Sequence, residues 1–229
     1  MPKQINESGL MVIINTLYPL PMNDPRNILL LHNSGHWQGC FIRLDHTAKE
    51  QERFSTSLEV EETEGVIQTS LTYTESGRQQ SMNFESLPPS MQVTQTGDWS
   101  TGPDYITPWS WVAELCVVNQ QQRRRMIVRH GVSGLDRVIY VVETKKGTDQ
   151  VSPSQPLHCQ STTFGSYSIW QPEPGVELFI DPRDRQQGDI TGCGIRWCDH
   201  HGITHQILRQ YNAAGALTPL ANDWIDQPD

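Results

Sequence analysis

Apolar and polar side chains alternate along many short segments of this chain. Residues 54–61, 67–73 and 203–211 each show the alternation over most of their length. Turn-forming pairs such as Pro174-Gly175 separate segments of this kind, which recur about every 8–12 residues. A period of two puts successive side chains on opposite faces of a β-strand, and no regular strand–helix–strand alternation accompanies it. The pattern therefore predicts an all-β, antiparallel fold, either a sandwich or a closed barrel.

A short segment near the N-terminus has the signals of a helix instead. Asp24 can cap a first turn, and Pro25 suits the first helical position, so a short helix is predicted from there to His32. Residues 1–25 are predicted to be a tail, because prolines interrupt their apolar stretch. The remainder, 26–229, is predicted to be a single barrel with a long polar loop near residues 145–164.

Composition and charge narrow the class of protein. Hydrophobic residues make up 36% of the 229 residues and charged residues 19%, which suits a folded core rather than a disordered chain. The formal net charge of −9 repels phosphate backbones, so no nucleic-acid partner is expected. The densest basic run is Arg123-Arg124-Arg125, which follows three glutamines. We interpret it as the solvated end of a hairpin, in preference to an anion or partner site.

The cysteines bear on the cellular compartment. There are five of them, scattered along the chain, and no secretory signal is recognisable. Reduced thiols and a cytoplasmic location are the simplest expectation. No segment approaches the roughly 20 apolar residues that a transmembrane helix needs, so no transmembrane segment is expected.

Two segments carry a family resemblance. Near the start, Gly35-His36-Trp37 precedes the apolar strand 41–45, and the glycine allows a tight turn while the tryptophan can cover the base of a barrel. Residues 175–215 contain Arg196-Trp197 and then an Arg-x-Tyr strand ending in a glycine turn. Over about residues 27–220 the chain resembles an uncharacterised lipocalin-like (calycin) family of cyanobacteria and photosynthetic eukaryotes.

This resemblance implies an antiparallel lipocalin-like β-barrel with a short N-terminal helix. The family is in turn similar to the S-type phycobiliprotein lyases, lipocalin-like barrels that deliver linear tetrapyrroles to antenna proteins. The resemblance thus implies a linear tetrapyrrole as a candidate ligand and a phycobiliprotein or other photosynthetic protein as a candidate partner. If the chain is an enzyme, the same likeness makes it a bilin lyase-like protein.

A barrel interior of this size can hold one apolar ligand. Arginines in apolar strands could clamp carboxylates of such a ligand, or equally could serve as structural caps. Glu114 is a carboxylate between apolar neighbours and faces either solvent or the cavity. The predicted ligand-binding residues are Trp37, Trp111, Glu114, Arg129, Tyr140, Arg196, Trp197, Arg209 and Tyr211.

No catalytic or metal motif stands out. Cys193, Cys198, His200, His201 and His205 lie close in sequence, but their spacing fits no zinc pattern, so no metal is predicted. The chain has no nucleophile elbow, phosphate-binding loop or dinucleotide fingerprint. Catalytic residues are therefore not assigned.

Three functions remain open from the sequence. The first is a lipocalin-type binding protein for a bilin, another pigment or a lipid, acting as a carrier or as a lyase-like chaperone. The second is a structural or assembly factor for photosynthetic complexes that acts through an exposed aromatic loop between Trp99 and Trp111, unless these tryptophans fold inward. The third is an isomerase or lyase that uses Glu114 or a histidine as general acid or base.

Overall fold

A short helix opens the described part of the structure. The computed structural model describes residues 24–107, 110–148 and 152–220. Helix α1 spans Pro25–Asn33, and the side chain of Asp24 caps it by accepting a hydrogen bond of 3.0 Å from the Arg26 amide. The helix and its cap are therefore confirmed. Within the described residues, no helix combines the length and the apolar character that a membrane crossing needs.

Strands make up most of the remaining described chain, which confirms the all-β class. In chain order they are β1 (Gly35–Leu44), β2 (Glu50–Thr63), β3 (Val66–Tyr73), β4 (Gln79–Phe84), β5 (Gln92–Val93), β6 (Trp99–Thr101), β7 (Trp111–Asn119), β8 (Gln122–Gly131), β9 (Gly134–Lys145), β10 (Gln160–Phe164), β11 (Tyr167–Gln171), β12 (Val176–Ile180), β13 (Thr191–Cys198) and β14 (Thr204–Tyr211).

The first nine strands form one antiparallel sheet in the order β4-β3-β2-β1-β9-β8-β7-β6-β5. The chain thus meanders outward from β1, and its last strand, β9, returns to pair with β1. Helix α1 contacts β2, β5 and β7, which lie far apart in the order of the sheet. One nine-residue helix can reach all three only because the sheet curls around it.

The curled sheet has two edges, β4 and β5, and no ladder joins them within the described residues. Both strands run toward the end that α1 covers: Arg26 binds the carbonyl of Glu85 after β4, and Asn33 binds that of Gly97 in the turn after β5. The chain between β4 and β5 must therefore run back along the gap between these two edges, which we call the seam. This return segment contains Pro88 and Pro89. Proline cannot donate to a ladder, which explains why this return segment is irregular.

Strands β10 to β14 form a separate five-stranded sheet in sequence order. It packs on the outer face of β7, β8, β9 and β1, and the main core lies between these two layers. The connection that precedes it, between Lys145 and Gln160, contains no strand in its described part. Arg53 of β2 holds this connection through the carbonyls of Pro153 and Gln155, at 2.5 and 2.9 Å.

One core contact predicts a pH dependence of stability. His130 stacks on Trp111 with ring centroids 4.4 Å apart, and burial lowers the pKa of His130 to about 4. The unfolded state binds a proton near its ordinary pKa of about 6.5, whereas the folded state resists it. This site therefore costs no stability above that pH, and we expect a loss of about 2 kcal/mol at about pH 5.

Urea unfolding at neutral pH and at about pH 5 measures this loss. The variant His130→Phe keeps a stacked ring without a titrating group, so its stability should depend less on pH by about 2 kcal/mol over the same interval. The same pH dependence in both proteins would contradict the assignment to His130.

Candidate functional site

The two faces of the curled sheet have different surroundings. Along β1, Ile42 and Leu44 point outward into the core against the second sheet. Trp37 and Phe41 have the opposite parity and point to the inner face, the one that contacts α1. Pairing across the sheet extends this inner face to every strand from β4 round to β6. The inner face is the candidate site, because the second sheet leaves it uncovered.

One end of the inner face is sealed by aromatic and helical residues. Trp37 is fully buried, and its Nε1 donates to the carbonyl of Asn33 in α1 at 2.9 Å. The Arg123 guanidinium lies 4.1 Å from the centroid of the Trp37 ring, a cation–π contact. The side chain of Asn33 accepts from Trp99 Nε1 at 3.1 Å, so the helix is joined to strands on both sides of the curl.

A buried network of ion pairs lies above this base. Glu143 accepts from Arg123 Nε at 2.7 Å and from Arg125 Nη1 at 2.9 Å. Arg125 Nε also donates to Glu114 Oε1 at 2.8 Å, and its Nη2 binds the same oxygen. Burial alone would raise the pKa of Glu143, but Arg123 and Arg125 outweigh it and hold the pKa below its usual value. Glu143 is therefore ionised at neutral pH.

The network corrects the interpretation of the arginine run. Arg123, Arg124 and Arg125 are all buried, at 1%, 3% and 7% exposure. Each finds a carboxylate from a distant part of the chain, Glu173 in the case of Arg124. The prediction of a solvated hairpin end was therefore wrong. Successive side chains of β8 point to opposite faces of the sheet. Arg123 and Arg125 therefore lie on the inner face, and Arg124 lies in the core between the sheets.

Glycine at position 39 makes room for this network. A Cβ atom at Gly39 would lie 2.8 Å from Thr56 Oγ1 and 2.9 Å from Glu143 Cγ, closer than side chains pack. Glu143 can therefore cross over β1 only because position 39 has no side chain. Thr56 is 3% exposed, and no described residue forms a hydrogen bond with its Oγ1.

The wall on the other side of the inner face is aromatic and apolar. Phe41 stacks on Phe54 with ring centroids 5.4 Å apart, and Phe54 lies 5.5 Å from Tyr73. Leu58 and Leu71 pair directly across β2 and β3 and continue this surface. All of these except Phe41 are partly exposed, so solvent reaches the apolar wall from the side of β2 and β3.

The structure divides the nine predicted site residues among four places. Trp37 and Glu114 lie on the inner face. Arg129 lies at the rim opposite α1, where it pairs with Asp136 at 3.2 Å. Arg196 pairs with Glu177 on the outer side of the second sheet. The remaining five lie in the core between the sheets: Trp111, Tyr140, Trp197, Arg209 and Tyr211.

Sequence reasoning missed Arg123, Arg125 and Glu143. A usable signal was present for Glu143, which directly follows the apolar run 138–142 in β9. A carboxylate in such a strand needs a buried cationic partner. The neighbouring strand β8 offers arginines at the matching parity, and Arg123 is the direct cross-strand partner of Glu143.

Trp99 and Trp111, the two described tryptophans of the segment 99–111, do not form a surface patch. Trp99 is half-buried against Arg125 and Asn33, and Trp111 is 6% exposed in the core. Tyr105 is 57% exposed; Trp109 lies outside the described residues. A cavity of about 390 Å³ opens at the rim beside this segment. The tryptophans that are described thus pack into the protein, Trp99 beside Asn33 at the base and Trp111 in the core between the sheets, instead of forming an exposed loop.

The comparisons with known proteins assign the family. A family model described as "Domain of unknown function (DUF3598), N-terminal" matches residues 23–148. The chain belongs to the DUF3598 family. The matched residues contain α1 and all nine strands of the curled sheet, so the candidate site lies within the DUF3598 N-terminal domain.

A solved structure supports the fold of this DUF3598 protein. The crystal structure of a DUF3598 protein of unknown function from Nostoc punctiforme matches with a TM-score of 0.69 at 16% sequence identity. The match covers 84% of this chain and 95% of that chain. No curated protein matches the chain. Across the described residues, no group of three or more His, Cys, Asp or Glu side chains is placed to hold a metal ion.

Proposed function

We propose that the curled sheet is a lipocalin-like barrel, open along the seam between β4 and β5, that binds a small hydrophobic ligand on its inner face. The observation that carries this proposal is the partly exposed aromatic and apolar wall of β2 and β3 beside a sealed base. A contiguous apolar surface that remains open in a folded protein is a common mark of a binding site.

The path of the chain supports a barrel of the lipocalin type. Nine strands run as a meander, and the last one returns to the first. A short helix and a tryptophan in a Gly-x-Trp segment cover one end. This arrangement leaves the opposite end and the seam as routes for a ligand. Entry there would require no rearrangement of the core between the two sheets.

A linear tetrapyrrole is one candidate for this ligand. Such a molecule is long, flat and conjugated, and it could lie along the aromatic side chains Phe41, Phe54 and Tyr73. A lipid or another pigment would use the same apolar wall. The proposal therefore extends to hydrophobic ligands as a class and includes a role as a lyase-like chaperone only if a bilin binds.

A pair of neighbouring substitutions tests the proposal. Leu71 faces the inner wall, whereas Ser70 faces outward beside Glu59. Glutamate at position 71 would place a charge on the wall, so Leu71→Glu should weaken binding of N-phenyl-1-naphthylamine and of phycocyanobilin at least about tenfold. Fluorescence titration measures the first probe and the absorbance spectrum the second.

The matched control is Ser70→Glu, which adds the same charge one residue away on the outer side of the strand. We expect its affinities to stay within about twofold of the unmodified protein. Absence of binding by both probes would reject the proposed function. Equal weakening in both variants would show that these probes bind elsewhere than on the inner face.

A further inference from the structure

We infer that the ligand of the inner face carries a hydrogen-bond-donating headgroup, an ammonium or a neutral N–H or O–H group, which binds Glu114. This inference rests on the proposed function and specifies the class of ligand. Both hydrogen bonds from Arg125 to Glu114 use Oε1. Among the described residues, nothing donates to Glu114 Oε2, and the side chain of Glu114 is 24% exposed. The partly exposed side chain of Glu114 on the inner face therefore has one acceptor atom without a donor from the described residues.

The arginines of the network are poorly placed to bind a ligand carboxylate. Arg125 directs Nε and Nη2 to Glu114 and Nη1 to Glu143, so a carboxylate would have to displace a partner. Arg123 Nη2 has no hydrogen-bond partner among the residues that the structure describes. Its side chain is only 2% exposed, and it is stacked on Trp37 at the sealed base. An anionic headgroup would have to open that base to reach it.

The charges of the network also favour a donor headgroup over a carboxylate. Two arginines and two glutamates balance, with Glu143 fully enclosed and Glu114 at the accessible edge. A second carboxylate beside Glu114 would meet a like charge in a site of low dielectric constant. A donor headgroup can instead bind Oε2, which accepts no hydrogen bond from the described residues. A hydrogen bond to an ionised acceptor is about twice as strong as one between neutral groups.

The position of Glu114 suits a ligand with an apolar body. Thr101 and Ile127 are its direct neighbours across β6 and β8. Trp99 and its partner Cys116 form the next inner-face pair toward the base, and the Trp99 ring lies 5.9 Å from the Arg125 guanidinium. A headgroup held at Glu114 would leave its hydrocarbon or aromatic body facing the wall formed by Phe54 and Tyr73. The polar and apolar parts of the site thus lie on opposite sides of the curl.

Two probes with the same alkyl chain test the inference on the full-length protein. Isothermal titration with dodecylamine and with laurate, both below their micellar concentrations, compares a donor headgroup with a carboxylate. We expect dodecylamine to bind at least about tenfold tighter than laurate. The variant Glu114→Gln should weaken dodecylamine at least about fivefold and should leave laurate unchanged or tighter.

The control is Glu177→Gln, which neutralises a carboxylate of similar exposure, 22% against 24%, on the outer side of the second sheet. It should change neither affinity. Laurate binding as tightly as dodecylamine would overturn the inference while the proposed function stands. An unchanged dodecylamine affinity in a folded Glu114→Gln protein would overturn it too. Failure of both probes to bind the unmodified protein would count against the proposed function itself.

Discussion

Replacing Glu143 with alanine should lower the free energy of unfolding by about 3–5 kcal/mol, as expected when one partner of a buried ion pair is removed. Glu143 is 1% exposed and holds both Arg123 and Arg125. Without it, the contacts that the described residues leave to Arg123 are the 3.5 Å contact of its Nη1 with the Asn33 side chain and the stacking on Trp37. Its charge would then lie almost uncompensated in a site that water cannot reach. Urea unfolding followed by tryptophan fluorescence measures the loss.

Two further variants show whether the loss comes from the unpaired charge. Glu59→Ala removes an exposed carboxylate 3.1 Å from His36 on the outer face, and its effect should stay within about 0.5 kcal/mol. Arg123→Leu combined with Glu143→Leu removes the inner pair together, so it should cost less than Glu143→Ala alone. A loss below about 1 kcal/mol for Glu143→Ala would mean that the network contributes little to stability.

Local pattern was sufficient to predict several elements of this fold but not all of them, since strand β10 (Gln160–Phe164) falls within the stretch 145–164 that was predicted to be a polar loop. Alternation located β2 and β3, and the Asp24-Pro25 pair located the start of α1. The division into two sheets was not predictable in the same way. Strands β7 and β13 both carry alternating apolar residues, yet they belong to different sheets. Period-two alternation reports that a strand has one buried face, but it carries no information about which strand lies beside it.

The site shows the same limit at the level of single residues. Trp37 was found because its Gly-x-Trp context has a local structural reason. Arg123 was not predicted as a site residue, because a charged run after three glutamines has the local character of a solvated turn. Its burial depends on Glu143, 20 residues away, and on Asn33, 90 residues away. Long-range pairing of this kind decides whether an arginine is a surface charge or part of an interior site.

Arg209→Met should also cause a large loss of stability, about 3 kcal/mol or more. Arg209 is fully buried, and no carboxylate lies within ion-pair distance of it among the described residues. Its guanidinium donates to neutral acceptors only: the Tyr211 hydroxyl at 2.7 Å, the carbonyls of Ser90 and Pro103 at 2.8 and 2.7 Å, and the Ser100 hydroxyl at 3.3 Å. Methionine keeps the apolar stem but leaves these acceptors without their donor in a buried site.

The location of these acceptors gives the substitution a second, local effect. Ser90 belongs to the segment that returns across the seam, Ser100 lies in β6 and Pro103 follows β6, whereas Arg209 belongs to the second sheet. Arg209 therefore joins the second sheet to the open side of the curled sheet. In Arg209→Met, hydrogen exchange should accelerate at the amides of residues 90–103 more than in β1 and β9, which pair on the far side.

The matched control is Arg196→Met in β13, whose partly exposed pair with Glu177 should be worth less than about 1 kcal/mol. Similar losses in the two variants, or uniform exchange across the curled sheet, would show that the seam is held by other contacts.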